Sequence, residues 1–523
     1  MLDPACGSGH YLVVAVQILY SLKEVLWQKL NKEHLDKYTE KKKIIERNIY
    51  GNDIKKWATE IAKLRLWLDL FVDAPDEILK NQYEAILPNL NFKIRCGDSL
   101  VQRLGNNLIA LRKISGSLKY ERHLLKELIR KKIAVYENKA KNEEAIYLEK
   151  KILQNSISRL ITETHQKIQN KNAEKHKLEN PQPAKTVFGT EEVKIDKEKI
   201  KELEKEIENL KKGLEELKKF YKELIQMKEP PMIWDLAFAE VFEMKKGFDI
   251  VIANPPYVRQ EKIEDLNRFY SKKEYKEKLI KQTKLDWSYD YEGNLKHDPR
   301  NRLHPIPQKF DKKCDLYVYF YLKGLKLLNP DGVLCYISSN AWLDVGYGRI
   351  LQEVLLKRVQ IVAIYDNQEK RSFKHADVNT IIALMKAPKE IDFDNEIKNN
   401  EVRFVNFKKP FEEIMYSEIF IDLEKDYDLK QFQEGKRREN KIYRLHIISQ
   451  KDLYEFGKEN GVYIGNKWGG KYLRAPEIYW KILEKGKGKL VKLGEIAEVR
   501  FGIKTGANEF FYVEDVTDKI EDE

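Results

Sequence analysis

The chain has 523 residues, 42% of them apolar and 34% charged, and its 96 Lys+Arg against 84 Asp+Glu give a formal charge of +12. With 28 Tyr, 21 Phe and 8 Trp it carries core material that a disordered chain lacks, and at ~150 residues per domain its length predicts about three domains. No apolar run approaches the ~18 residues of a membrane span. The opening Met1-Leu2-Asp3-Pro4 lacks the basic start and apolar stretch of a secretory signal. Cys6, Cys96, Cys314 and Cys335 form neither a CxxC pair nor a disulfide framework. A reduced, cytoplasmic, basic protein is expected, with nucleic acid the first partner its surplus charge suggests.

In chain order, Leu2 to Ala5 reads as the end of a strand and Tyr11 to Leu30 as a helix. Ile49 to Asp53 is a second strand feeding a helix from Lys55 to about Val72. Phe92 to Cys96 is a third strand, ending at Gly97-Asp98. This alternation predicts a parallel sheet covered by helices. Pro75-Asp76-Glu77-Ile78-Leu79-Lys80 has the residue types of a nuclease site at the wrong spacing, and reads as a surface turn.

The rhythm stops near residue 104. Leu118 to Gln169 is rich in Lys and Glu, with Leu125, Leu128, Ile152, Ile157 and Leu160 as its apolar residues. After the hinge Asn180-Pro181-Gln182-Pro183, the residues Ile200, Leu203, Ile207, Leu210, Leu214, Leu217, Tyr221 and Leu224 recur three and four apart, a heptad seam. The expectation is an antiparallel coiled-coil arm of two helices over residues 105–230. A solvated spacer is the plain reading of such an arm, and a contact with DNA or a partner the functional one.

Phe248 to Ala253 resumes the alternation as an apolar run fit for a central strand. Asp315 to Leu328 reads as a helix, and Gly332–Ser338, Val359–Tyr365 and Thr380–Met385 as strands. Beyond about Pro388 the pattern loosens, with a basic aromatic stretch from Asn466 to Tyr472, and a boundary is predicted between Glu390 and Tyr416. The predicted parts are 1–104 and 231–390 as two halves of one α/β core, 105–230 as the insertion and 391–523 as a mixed C-terminal region.

Three candidate sites end the first three strands, where open α/β sheets bind ligands. In Asp3-Pro4-Ala5-Cys6-Gly7-Ser8-Gly9, Gly7 and Gly9 let the backbone turn tightly and approach a ligand, although Leu12 stands where a dinucleotide fingerprint needs a third glycine. Asp53 can accept the two hydroxyls of a ribose, and Asp98 an exocyclic amine. A lone Asp at a strand end more often caps a helix, but three in register describe a nucleoside crevice. Asn254-Pro255-Pro256-Tyr257 follows a strand where paired prolines are unexpected. The Asn254 side-chain oxygen and the Pro255 carbonyl can accept from an aromatic amine, the prolines hold them rigid, and Tyr257 offers a ring for stacking. Such fixed acceptors stabilise charge as it develops.

Taken in this order, Asp-Pro-Ala-Cys-Gly-Ser-Gly and Asn-Pro-Pro-Tyr resemble the S-adenosylmethionine-dependent adenine-N6 DNA methyltransferases, in particular the methyltransferase portion of Type IIG restriction–modification enzymes. Ile61 to Leu68, Asn254 to Gln260, Asp315-Leu316-Tyr317, Ser338 to Leu343 and Gly346-Tyr347-Gly348 carry the resemblance further, over roughly residues 1–390. It implies a Rossmann-like class I methyltransferase fold. Asp3, Pro4, Ala5, Cys6, Gly7 and Gly9 would hold the methionine part of the cofactor, Asp53 its ribose and Asp98 its adenine. Asn254, Pro255, Pro256 and Tyr257 would be catalytic, and Phe373 would stack on the other face of a target adenine flipped out of double-stranded DNA. No metal is implied, and no membrane.

The resemblance also implies direct methyl transfer without a covalent enzyme intermediate; the Pro-Cys pair of a cytosine-C5 enzyme is missing. Leu490 to Tyr512 looks like the start of a target-recognition domain. Family members carry a helical segment ahead of the first motif and, in Type IIG, a nuclease, so the chain reads as an internal piece of a larger system whose nuclease and recognition portions are its partners. The competing readings are a weak or inactive DNA-binding remnant, or a methyltransferase acting on a protein glutamine or on RNA.

Overall fold

The computed structural model describes every residue except 31–35, 81–86, 114–121, 181–183, 187–188, 192–195, 298–303, 308–309, 311, 368–378, 390–394, 415–416, 492, 499, 501, 503–505, 507–512 and 514–523. Eleven strands build one sheet: β1 (Leu2–Asp3), β2 (Tyr50–Asp53), β3 (Ile94–Cys96), β4 (Phe248–Ala253), β5 (Leu328–Ser339), β6 (Val359–Asn367), β7 (Thr380–Pro388), β8 (Glu401–Phe407), β9 (Lys430–Phe432), β10 (Gly435–Glu439) and β11 (Tyr443–Ser449). Their order is β9-β10-β11-β8-β6-β7-β5-β4-β1-β2-β3. The first five strands pair parallel with one another, with Leu2 opposite both Tyr50 and Val251, and Ala253 opposite Tyr336. β7 runs antiparallel between β5 and β6, and β6 pairs parallel with β8. β9, β10 and β11 add an antiparallel edge. The result is a mixed α/β architecture around one large mixed sheet.

Nine of the helices carry the argument: α1 (His10–Lys29), α2 (Lys37–Asn48), α3 (Lys56–Phe71), α4 (Arg122–Tyr136), α5 (Asn142–Glu179), α6 (Lys197–Gln226), α7 (Lys272–Trp287), α8 (Leu316–Leu327) and α9 (Gly348–Arg358). Leu12, Val16 and Tyr20 of α1 and Ala62, Leu66 and Leu70 of α3 recur four apart, so each set forms one buried stripe. The two stripes close over Ile94 of β3 with Ile44 and Ile45 of α2. α8 is buried almost all round, as a helix lodged against the central strands must be.

The helical insertion differs from its expected form. Three helices stand where two were expected, because the chain breaks between α4 and α5 at Asn138, whose φ of +56° is a conformation that asparagine tolerates better than most residues. The 38-residue α5 and 30-residue α6 run antiparallel, as Lys175 paired with Glu204 at 2.6 Å and Lys150 donating to the Ile225 carbonyl at 3.4 Å require. Leu203, Ile207, Leu214, Leu217 and Leu224 of the predicted seam are buried. Near the sheet the helices merge into a core with Phe92, Leu104, Ile233 and Leu236; further out Ile168, Ile207 and Leu214 form a smaller buried cluster.

The sheet does not loosen after Pro388. β8 continues it beside β6, and one compact unit extends from Met1 to Arg474. The Asn466–Tyr472 stretch is core within that unit: Trp468 and Tyr472 are buried, with their rings against Phe404. Asp76–Lys80 is one short helix rather than a turn. A second unit, Ala475–Glu523, contains helices at Glu477–Lys485 and Leu493–Ile496. Most of the stretch from Leu490 to Tyr512 lies outside the described residues. No described helix is long and apolar enough to cross a membrane.

Candidate functional site

Strand order reverses at β1. The chain steps outward through β2 and β3 on one side and through β4 and β5 on the other, so the loops leaving β1 and β4 diverge and open a crevice at their carboxyl ends. A cavity of about 440 Å³ lies there, within the roughly 300–1,000 Å³ of small-molecule sites. Pro4, Ala5 and Gly7 line it from the loop after β1, Asp53 from the end of β2, Asp98 from beyond β3, and Asn254 and Pro256 from beyond β4. Trp57, Tyr275, Leu316 and Phe320 add rings and apolar surface.

The first loop owes its shape to its glycines. Gly7 and Gly9 have φ of +52° and +79°. A Cβ on Gly7 would point into open space, whereas one on Gly9 would lie 2.8 Å from the Ala62 Cβ of α3. Gly9→Ala should therefore cost about 1–3 kcal/mol from backbone strain and overlap, read as a drop in urea midpoint at unchanged slope. Asp3 is turned inward, where its Oδ1 accepts from the Ala5 N–H at 2.9 Å. Burial, with Asp53 nearby and against the Ala5 hydrogen bond, pushes the Asp3 carboxyl up to about 7. The Cys6 N–H donates to the Asn52 carbonyl at 3.0 Å, tying the loop to β2.

Asp53 holds the same loop from the other side: Oδ2 accepts from the Gly7 N–H at 3.0 Å and Oδ1 from the Lys55 N–H at 2.9 Å. Asn52 Nδ2 donates to the Gly97 carbonyl at 2.9 Å and to Ser99 Oγ at 2.7 Å, and Ser99 donates to the Pro4 carbonyl. Three strand ends are thereby cross-linked beneath the cavity. Asp98 accepts from the Leu100 and Val101 amides on Oδ1, at 2.8 and 3.1 Å, and from Tyr275 Oη on Oδ2 at 2.8 Å. Burial raises its carboxyl above the usual range, and those hydrogen bonds pull it back.

At the end of β4, Tyr257 Oη donates to Asn254 Oδ1 at 2.5 Å and reaches toward the Ile337 carbonyl at 3.5 Å. Burial raises the Tyr257 phenol, so it remains a donor. The amide of Val258 donates to the Pro256 carbonyl at 2.9 Å, and Leu316 N–H to the Val258 carbonyl at 3.0 Å. Asp315 stands at the cap position of α8 without capping it. Its Oδ1 accepts instead from Gln260 N–H at 2.8 Å and its Oδ2 from Tyr347 Oη at 2.7 Å. The turn is thus clamped to two neighbouring elements.

Of the residues expected from sequence, the cavity surface gathers Pro4, Ala5, Gly7, Asp53, Asp98, Asn254 and Pro256. Asp3, Cys6 and Gly9 form the loop's inner side, Pro255 is buried behind the turn, and Tyr257 is half-buried beside Asn254. Phe373 lies outside the described residues. Among the described residues no group of three or more His, Cys, Asp or Glu could hold a metal. Tyr275 and Phe320 escaped the sequence reading as pocket residues; the readable sign for Tyr275 was Ser271-Lys272-Lys273-Glu274, a capping box with both reciprocal bonds formed.

Residues 47–290 and 288–373 match the Eco57I restriction-modification methylase family, and the chain belongs to that family of restriction–modification DNA methyltransferases. A Methanocaldococcus jannaschii protein that carries the name type II restriction enzyme and methyltransferase is 47% identical over 108 residues, 21% of this chain and 9% of that protein. DNA methyltransferase A of Bacillus subtilis is 31% identical over 103 residues, 19% of this chain and 11% of that one. The matched stretches therefore span only about a tenth of those relatives' length. Among solved structures, the M protein of the Type I restriction enzyme EcoKI aligns over 96% of this chain and 72% of its own, with 10% identity and a TM-score of 0.34.

Proposed function

We propose that the chain is the cofactor- and base-binding part of a site-specific methyltransferase that moves a methyl group from S-adenosylmethionine to the N6 amine of adenine in double-stranded DNA, within a restriction–modification system. One observation carries this reading: Gly7, Asp53 and Asp98 line the same cavity as Asn254 and Pro256. The residues fit the cofactor, since an open space stands where Gly7 would carry a Cβ, and two carboxylates lie at separate strand ends. Bound there, the cofactor supplies an electrophilic methyl group on a sulfonium.

Asp53 would accept from the ribose and Asp98 from the adenine of the cofactor. Asn254 Oδ1 has a second lone pair beyond the one Tyr257 uses. It would accept one N–H of the target amine, with the Pro255 carbonyl as the second acceptor. Both draw the nitrogen lone pair out of ring conjugation and stabilise the positive charge that builds as the new bond forms. The target base has to leave the duplex to reach this pair, and surface cations would hold phosphates in a salt-dependent way.

In the same reading the strand order, with β7 reversed between β5 and β6, supports a Rossmann-like class I fold. Residues 105–230 would be an inserted antiparallel coiled-coil arm, and a recognition domain would begin within 391–523. Nuclease and recognition components of the same system would be its partners. Incubation with tritiated S-adenosylmethionine and double-stranded DNA should place label in N6-methyladenine after DNA hydrolysis. Label confined to protein or RNA, or cofactor binding with no transfer to DNA, overturns the proposal.

A further inference from the structure

α7 opens on a capping box, with Glu274 Oε2 accepting from the Ser271 N–H at 3.0 Å, and this fixes the conformation of its first turn. Tyr275 in that turn donates its hydroxyl proton to Asp98 Oδ2 at 2.8 Å, and both residues line the cavity. The two backbone amides of Leu100 and Val101 already occupy Oδ1. A carboxylate offers about four lone-pair directions, so three bonds leave one open, on Oδ2. A phenol that has given away its single proton has only lone pairs left. Toward the cavity these two side chains offer acceptors only.

We infer that Tyr275 is a specificity-determining residue of the cofactor pocket, forming with Asp98 an acceptor-only pair that takes both N–H groups of a 6-aminopurine and rejects a 6-oxopurine. The inference rests on the cavity being the adenosyl site. An amine satisfies both oxygens, whereas a carbonyl would bring a third acceptor against them and leave the open lone pairs of Asp98 Oδ2 and Tyr275 Oη without a donor. Sites built to bond a polar substituent discriminate strongly against analogues that cannot return the bond. Desolvation agrees with the geometry: burial raises the Tyr275 phenol well above its usual range, so its proton stays shared with Asp98 rather than lost.

The test is calorimetric binding of S-adenosylhomocysteine and S-inosylhomocysteine to the 523-residue chain and to Tyr275→Phe. The unchanged chain should favour the adenosyl ligand by ~100-fold or more. Tyr275→Phe should narrow that ratio about fivefold, as loss of one neutral hydrogen bond to the ligand would, mainly by weakening the adenosyl ligand. A ratio below about 3-fold in the unchanged chain, or one unaltered by Tyr275→Phe, overturns the inference while leaving the cavity as a cofactor site. Failure of both ligands to bind the unchanged chain overturns the site reading and the inference together. If Tyr275→Phe does not fold, the N6-methyladenosyl ligand on the unchanged chain decides. With one N–H it should fall between the other two, and affinity equal to the adenosyl ligand overturns the inference.

Discussion

Asn254→Ala should lower methyl transfer to DNA adenine by about 10²–10³-fold, the loss typical of removing one preorganised polar group that stabilises developing charge. Cofactor affinity should change by less than about threefold. The separation follows from topology: Asn254 leaves β4, while Asp53 and Asp98 leave β2 and β3, and the polar contacts below those carboxylates involve Asn52, Ser99 and Pro4. Truncating Asn254 removes the acceptor that Tyr257 Oη holds at 2.5 Å and leaves the Ile337 carbonyl, at 3.5 Å, as the longer alternative. Gln260 and Val258 would still be held by Asp315 and Leu316, so the turn itself should survive. Single-turnover rates with labelled cofactor, beside equilibrium binding, measure the two effects independently. Transfer within a few-fold of the unchanged chain would show that Asn254 does not touch the reacting amine.

The strand ends were legible because strand-like runs there stop on short polar residues. Asp3, Asp53, Asp98 and Asn254 each follow such a run, and the parallel register brings their loops to one edge of the sheet. The seam of α6 was legible for the same reason, since its buried residues are apolar at helical spacing. Burial of polar residues hid the rest. α7 faces the core with Gln282, Thr283 and Asp286, where Gln282 and Asp286 bond each other at 2.8 Å and Lys323 pairs with Asp286. A hydropathy pattern does not register a helix whose buried side is satisfied by hydrogen bonds. The sheet's extension beyond Pro388 was obscured similarly. In β10, Arg437 and Arg438 are buried, and Arg437 pairs with Glu439 at 3.1 Å, so a strand inside the unit reads as a surface stretch. Capping boxes and short i, i+2 charge pairs survive in the sequence when hydropathy fails.

Lys132→Met should destabilise the larger unit by about 3–5 kcal/mol, the cost of stripping one partner from a buried ion pair. Lys132 of α4 is fully buried, with Nζ 2.7 Å from Glu149 Oε1 of α5. The same ammonium donates to the carbonyls of Leu236 and Ala237, at 2.8 and 2.7 Å. Glu149 in turn accepts from Arg95 of β3 at 3.2 Å. Removing the ammonium leaves one carboxylate with a single cation and strips this donor from two buried carbonyls, in a place too enclosed for water to replace it. Lys132→Met combined with Glu149→Leu should recover part of the loss, because the stranded carboxylate disappears while Arg95 loses its partner. The measurement is the urea midpoint of the single and double variants at constant slope. A single-variant loss below about 1 kcal/mol would mean that water enters beside Glu149. The helical insertion would then be fastened to β3 by apolar contacts, with Phe92 and Ile152 carrying what the charges do not.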